Sequence, residues 1–152
     1  MRLLLSFLSV LMMATPAVAA ASCYSAKEAE AEQGIRIHSE LMVIGLNCQH
    51  MTPRGWKNFY QEYREITSRN KSLFSEYENI LEAHYGGAKK IHNLRTNFAN
   101  EVSTNAASMR PDVFCANFAP RIPQVGKMSR AQLQQWASSA SKTERQSKPI
   151  CN

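Results

Sequence analysis

Two carboxylates, Glu40 and Glu101, are the residues of this chain whose placement could support acid–base chemistry. Each is expected about eight residues from the same end of its helix, at the level of Tyr63 and Arg64 on a third helix. General acid–base catalysis needs two such groups whose pKa values are held apart. The alternative is an ion pair or a solvated edge, because ion-pair networks also perturb pKa values. The pattern therefore predicts a polar cluster of Glu40, Arg64 and Glu101 without naming a reaction.

Histidines and cysteines are the residues that could bind a metal ion. The di-iron signature of helical bundles requires Glu three residues before His. None of the four histidines has one there, since the residues at that position are Ile35, Asn47, Leu81 and Lys89. The sequence Cys48-x-His50-Met51 could hold a soft metal such as copper(I), but only if Cys48 is a free thiolate. A disulfide at Cys48 removes that possibility, so we predict no metal site and no cofactor.

Enzyme motifs do not occur in this sequence. It contains no G-x-S-x-G nucleophile elbow, no Walker loop and no dinucleotide-binding glycine pattern. It also lacks a C-x-x-C redox pair and a C-x-x-C-H haem attachment site. A nucleophilic cysteine would have to be free and of low pKa, and all four cysteines are better used as bridges. We therefore predict no catalytic residue, and the sequence leaves open whether the protein is an enzyme.

Aromatic residues follow one line of a predicted helix that begins at Thr52. The line contains Trp56, Tyr63 and Tyr77, and it ends at His84. Such a line could form a ligand-binding groove between helices, and the alternative is the edge of an ordinary core. His84 also fits a helix C-terminus, where the helix dipole favours a cation.

Helices must position all of these residues, because the apolar side chains recur at helical spacing. The central helix contains residues 34–48, where Ile37, Leu41 and Ile44 belong to a segment that is apolar almost all round. Such a helix normally lies in the core with neighbours on several sides. Its start is predicted at Ser25, which forms an S-x-x-E capping box with Glu28.

Three further helices are predicted. The second starts with Thr52 as its cap and runs to Gly86-Gly87, with Asn70 either fixing the register or facing water. The third covers residues 88–109, and a short helical turn around Cys115 follows it. The fourth begins at Ser129 with a second capping box. The polar tail from residue 141 is expected to be loose until Cys151.

The four cysteines predict how these helices are joined. If the first helix is continuous, Cys23 and Cys48 lie more than about 30 Å apart, which a disulfide cannot span. In an up-down bundle, Cys48 and Cys115 meet at one end, and Cys23 and Cys151 meet at the other. The sequence therefore predicts an all-α antiparallel bundle of about four helices with the disulfides Cys48–Cys115 and Cys23–Cys151.

The N-terminal segment, residues 1–19, has the features of an export signal. Arg2 precedes an apolar stretch, and Ala17-Val18-Ala19 forms a small-x-small cleavage site. Cleavage after Ala21 and retention as an anchor are alternatives, and acylation of Cys23 would leave an odd number of thiols. We predict a signal peptide, a single helical domain over residues 20–152, and a periplasmic or secreted location.

Charge is distributed unevenly along the chain. Residues 23–85 contain seven basic and nine acidic residues, whereas residues 86–152 contain ten basic and three acidic ones. An excess of cations indicates attraction to an anionic envelope surface, and the alternative is a merely solvated basic surface. Nucleic acid is not expected, because no nucleic-acid-binding motif occurs. After signal cleavage no transmembrane segment is predicted, and the sequence does not indicate an oligomeric state.

Three short segments resemble those of a known group of proteins. They are HSELMVIGLNC, HYGGAKKIHNLRTNFANEVS and VFC, with a Phe/Tyr-rich helix between the first two. In this order they resemble small exported four-cysteine helical proteins of alphaproteobacteria. The resemblance implies an exported helical domain and assigns no activity. Together these observations predict a non-enzymatic binding or envelope-associated protein, with a small-ligand or metal carrier that uses an inter-helix groove as the alternative.

Overall fold

The structure is a computed structural model that describes residues 23–151. The predicted signal peptide lies outside the described residues and stays a prediction. Within residues 23–151 the chain forms no β-strand, and none of the helices is long and apolar enough to cross a membrane. A short 3-10 helix, Gln49–Met51, accompanies seven α-helices: α1 (Ala26–Cys48), α2 (Phe59–Arg69), α3 (Lys71–Tyr85), α4 (Ala88–Ser108), α5 (Pro111–Phe118), α6 (Arg121–Gly126) and α7 (Arg130–Thr143).

Helix α1 is the centre of the fold, as the sequence predicts. Ser25 caps its N-terminus: the Ser25 hydroxyl accepts a hydrogen bond from the Glu28 N–H, and Glu28 Oε2 accepts one from the Ser25 N–H. Helix α1 contacts every other α-helix, and 14 of its 23 residues are buried. A helix that is covered on several sides must be apolar on several sides, which explains the composition of residues 34–48.

The second predicted helix begins later than expected. Thr52 and Pro53 do not start it, because residues 52–58 form a loop in which Gly55 has a left-handed φ of 84°. Helix α2 begins at Phe59, where the side-chain oxygen of Asn58 accepts hydrogen bonds from two N–H groups of the first turn. The predicted start at Thr52 is therefore wrong, and Trp56 belongs to the loop.

Asn70 divides the expected continuous helix into α2 and α3. Its side-chain amide donates a hydrogen bond to the Ile66 carbonyl at 2.9 Å, and its backbone N–H donates to the same oxygen at 3.0 Å. Asn70 is only 1% exposed. Asn70 was expected either to fix the register of the helix or to face water. Its burial shows that the second alternative is wrong.

The following helices agree more closely with the sequence. Gly86 ends α3 with a left-handed φ of 74°, and α4 then covers nearly the predicted range. The predicted single turn around Cys115 is α5, and a further short helix, α6, follows it. Helix α7 begins after Ser129, whose capping box with Gln132 is confirmed.

Both predicted disulfides are confirmed. Cys48–Cys115 joins the C-terminus of α1 to α5 with a Cα–Cα distance of 5.5 Å, and Cys23–Cys151 joins the two ends of the described chain at 5.1 Å. Both distances lie in the ordinary range for a disulfide. Two disulfides in a chain of this size are typical of an oxidising compartment.

The tail that follows α7 is not loose, which corrects the sequence-based expectation. The Ser147 N–H donates to the buried Glu32 carboxylate at 2.8 Å. Near the terminal disulfide, the Cys151 N–H donates to the Tyr24 carbonyl at 2.8 Å, and the Tyr24 N–H donates to the Pro149 carbonyl at 2.7 Å. The tail therefore supplies hydrogen bonds to buried polar groups at and near the start of α1.

Candidate functional site

Glu40 and Glu101 face one charged cleft, as their predicted level on α1 and α4 requires. The cleft has a volume of about 380 Å³. Its lining is formed by Arg36, Glu40, Glu101, Glu144, Arg145, Gln146 and Ser147. Arg36 donates to Glu101, while Arg121 donates to Glu40 at 3.1 Å. The guanidinium of Arg36 also lies over the ring of Phe98, 3.9 Å from its centroid.

Arg64, the third predicted member of the polar cluster, does not face this cleft. It lies on the exposed side of α2 beside a surface hollow lined by Gln61, Glu65 and Ser68. Arg36 and Arg145 line the cleft in its place, and Arg121 pairs with Glu40. Arg36 precedes Glu40 by four residues on the same helix, so its proximity could have been inferred from helical spacing.

The carboxyl group of Glu40 is the perturbed acid of the charged cleft. Burial raises its pKa, Arg121 and Arg36 oppose that shift, and Glu101 and Glu144 add to it. Glu40 and Glu101 each have an arginine partner. This arrangement favours the ion-pair alternative over a catalytic pair, because each carboxylate already serves as a hydrogen-bond acceptor for a fixed cation.

The predicted ligand-binding residues Trp56, Tyr63, Tyr77 and His84 do not line one groove. Tyr77 is fully buried, and its hydroxyl donates to Glu30 Oε1 at 3.0 Å. His84 Nδ1 lies 2.8 Å from Glu28 Oε1, and its Nε2 lies 2.8 Å from Lys148 Nζ. Of the four side chains, Trp56 alone is exposed.

Tyr63 packs beside a buried histidine that the sequence did not single out as a site. The Nε2 atom of His38 lies 3.0 Å from Thr67 Oγ1 and 3.2 Å from the Tyr63 hydroxyl, and its ring stacks on Phe74. Burial lowers the pKa of His38 to about 4, and the charge of Arg95 acts in the same direction. His38 is therefore a neutral core residue near pH 7.

Trp56 lies at the rim of an apolar groove of about 310 Å³. The groove runs between the loop before α2 and helix α5, where Cys115 is joined to Cys48. Asn58 fixes the loop, because its side-chain amide donates to the Gln49 carbonyl at 2.9 Å. The lining residues are mostly apolar: Met51, Pro53, Trp56, Phe59, Asp112, Cys115, Ala116, Ala119 and Pro120.

Exposed apolar side chains lie on the segments that flank the Cys48–Cys115 disulfide. Six large apolar side chains of residues 23–151 are strongly exposed. Five of them lie within eight residues of Cys48 or Cys115 in the sequence, whereas Ile150 adjoins Cys151. We call these five side chains the Trp56 end: Leu46, Met51, Trp56, Met109 and Val113. Their exposed fractions range from 36% at Met109 to 56% at Trp56. The sequence pattern did not predict these exposed side chains, because it placed Trp56 on the face of a helix.

The charge asymmetry of the chain is partly balanced within the fold. Several cations of the C-terminal part pair with acidic residues of α1 and α3: Arg95 with Glu78, Arg121 with Glu40, and Arg130 with Glu76. Other cations of that part remain exposed, among them Lys89, Lys90, Lys127 and Lys142. The excess of cations counted along the sequence therefore overstates the charge available to a partner.

Metal binding finds no support in the geometry of residues 23–151. No group of three or more His, Cys, Asp or Glu side chains in this range is arranged to hold a metal ion. Cys48, the soft ligand considered for copper(I), is bonded to Cys115 and carries no thiolate.

Comparison of the chain with protein-family models, curated proteins and solved structures finds no match.

Proposed function

We propose that this protein is exported and binds a component of the cell envelope without catalysing a reaction. The observation that carries the proposal is the Trp56 end, where Met51 and Trp56 line an apolar groove and three further large apolar side chains of the same segments are exposed. Single exposed apolar residues are normal on any protein surface. A group of them beside an apolar groove is typical of an interaction site.

Export is supported by the covalent structure. Disulfides persist in oxidising compartments and are rare in the cytosol. Here two of them join chain positions that are 128 and 67 residues apart, and no cysteine of residues 23–151 is free. The predicted signal peptide over residues 1–19 agrees with this assignment, as does the periplasmic or secreted location that the sequence suggests.

The proposal is tested by fractionating a bacterium with two membranes that produces the full chain. We expect the protein in the periplasm or on the envelope, and we expect Trp56→Ser to move it from the envelope to the soluble periplasmic fraction. Ile150→Ser is the matched control, because it removes an exposed apolar side chain at the opposite end. A protein that stays in the cytosol, or an envelope fraction unchanged by Trp56→Ser, would refute the proposal.

Carriage of a small ligand is the second candidate function. The apolar groove beside Trp56 favours it, because about 310 Å³ is close to the lower end of volumes seen for ligand pockets. Native mass spectrometry of the purified protein should then show a bound molecule that Phe59→Ala releases. A spectrum of the bare chain alone would count against this candidate.

A further inference from the structure

The Trp56 end is assembled from segments that are far apart in the sequence. Leu46 belongs to the last turn of α1, Met51 and Trp56 belong to the segment before α2, and Met109 and Val113 flank the junction of α4 and α5. The Cys48–Cys115 disulfide joins α1 to α5 at this end of the molecule. Of the five side chains, Met51 and Trp56 line the apolar groove against α5.

The side-chain types at this end suit the boundary between water and lipid. Tryptophan is enriched at membrane interfaces, because its ring is apolar while its N–H still bonds to water or headgroups. Trp56 extends from a short loop between Pro53 and Asn58, and its ring contacts Phe59 edge-on at a centroid distance of 6.5 Å. Met51, which lines the same groove, adds apolar area that does not require a shaped partner surface.

The segments that carry the apolar side chains have a net positive charge. Residues 46–58 contain Arg54 and Lys57 and no acidic residue, while residues 109–118 contain Arg110 and Asp112. The net charge of these two segments is therefore +2. Lys57 pairs with Glu65 and Arg110 pairs with Asp112, whereas Arg54 is exposed and forms no ion pair among the described residues. An exposed cation such as Arg54 beside apolar side chains is attracted to a surface that carries negative charge.

We infer that the Trp56 end docks on an anionic phospholipid surface, with the Cys23–Cys151 end directed away from the membrane. This inference rests on the proposed function and names its partner. Helices α1 and α4 both end at the docking surface, so their axes run away from the lipid surface. Only the side-chain tips enter the headgroup region, and the helical core remains outside.

Tryptophan fluorescence tests the inference directly. The chain has two tryptophans, and Trp136→Phe leaves Trp56 as the sole reporter. Vesicles of phosphatidylglycerol and phosphatidylcholine should shift its emission to shorter wavelength, and brominated lipid should quench it. In Trp56→Phe, the remaining Trp136 packs against the core and should show neither effect. Emission of Trp56 that is unchanged by vesicles would overturn the inference.

Matched variants then locate the surface. Trp56→Ser should weaken vesicle binding about tenfold, because a large apolar side chain no longer leaves water. Arg54→Gln should weaken it about fivefold, and vesicles of phosphatidylcholine alone should bind more weakly by at least that factor. Ile150→Ser should bind like the wild type. All three substituted side chains are exposed, so circular dichroism should report unchanged helical content.

The basic start of α4 provides the competing explanation. Lys89 and Lys90 are exposed beside Tyr85, at the end of the bundle that carries Cys23–Cys151. If binding depends on charge alone, reversing both lysines to glutamate should abolish it while Trp56→Ser has no effect, and that result overturns the inference. If the Trp56 end docks, the double reversal should weaken binding less than Trp56→Ser does.

Failure of this inference differs from failure of the proposed function. If Trp56→Ser releases the protein from the envelope in cells but vesicles never bind, the partner is an envelope protein or polysaccharide. The lipid inference then falls, and the proposed function stands. If Trp56→Ser changes neither cell fractionation nor vesicle binding, both fall.

Discussion

Replacing Gly34 by alanine should destabilise this protein, although alanine is the better helix former. Gly34 lies in the middle of α1, directly against the ring of Tyr77. A Cβ atom at this position would lie 2.2 Å from Tyr77 Cε2 and 2.3 Å from Cδ2. Carbon atoms in contact normally lie about 3.5–4.0 Å apart, so either the ring or the helix must move by more than about 1 Å.

The magnitude follows from two opposing effects. Alanine in a helix interior is favoured over glycine by about 1 kcal/mol. Overpacking of a well-packed core costs about 1–3 kcal/mol. Tyr77 is fully buried, and its hydroxyl is held by Glu30 at 3.0 Å, so the ring has no adjacent space and would lose a hydrogen bond if it moved. We therefore expect the upper part of the overpacking range and a net loss of about 2 kcal/mol in the free energy of unfolding.

Gly45 on the same helix is the matched control. A Cβ atom there would lie 3.4 Å from the nearest atom, Tyr60 Cα, which is an ordinary contact distance. Urea unfolding of the disulfide-bonded protein should show Gly45→Ala unchanged or more stable by up to about 1 kcal/mol. Adding Tyr77→Leu to Gly34→Ala should cost less than the sum of the two single changes, because the clash is removed. A Gly34→Ala protein as stable as the wild type would refute the reasoning.

Three further predictions concern buried groups. The pKa of His38 falls from 6.5 to about 4 on folding. The contribution of neutral His38 to the free energy of unfolding should therefore be fully present above pH 6.5 and should decrease by about 3 kcal/mol as the pH falls to 4. His38→Gln should remove that part of the acid dependence in urea unfolding at several pH values. Asn70→Ala should cost about 1–2 kcal/mol in thermal unfolding, since the buried Ile66 carbonyl loses its side-chain donor. Replacing Cys48 and Cys115 together by alanine should cost about 4 kcal/mol, and equal stability of the two proteins would contradict the loop-entropy estimate.

Helix ends were predictable where the signal lies within a few residues. Ser25 with Glu28, Ser129 with Gln132, and Gly86 each satisfy backbone groups of their own first or last turn. These interactions do not depend on the rest of the fold, so the sequence pattern is sufficient. The predicted helix start at Thr52 was wrong because two good capping residues, Thr52 and Asn58, lie close together in the sequence. Only their contacts in the folded protein decide which of them caps the helix.

The disulfide pairing was predictable because it depends on length and direction alone. A continuous α1 of 23 residues separates Cys23 from Cys48 by more than about 30 Å. With antiparallel helices, each of these cysteines then has one other cysteine at its own end. No knowledge of side-chain packing enters that argument, and both bridges agree with it.

The candidate sites needed the tertiary structure. The level of Glu40 and Glu101 along the bundle follows from helix length, so their common cleft was predictable. The rotation of each helix about its own axis was not predictable. Arg64 was therefore assigned to the cluster although it lies beside a different surface hollow from Glu40 and Glu101. The prediction that the aromatic line forms one groove depended on the same unknown. Tyr77 and His84 are covered by α1 and by the C-terminal tail, which are both distant from them in the sequence.

By itself the sequence determined that this chain is all-helical, which helix is central and which cysteines pair. Those properties depend on periodicity, on local caps and on the rise per residue, and all three are visible in the order of amino acids. Only the tertiary structure decided that the tail covers Glu32, that Asn70 is buried and that Trp56 and four other large apolar side chains of the Trp56 end remain exposed. Periodicity shows which face of a helix is apolar, but burial depends on which distant segment comes to lie against that face.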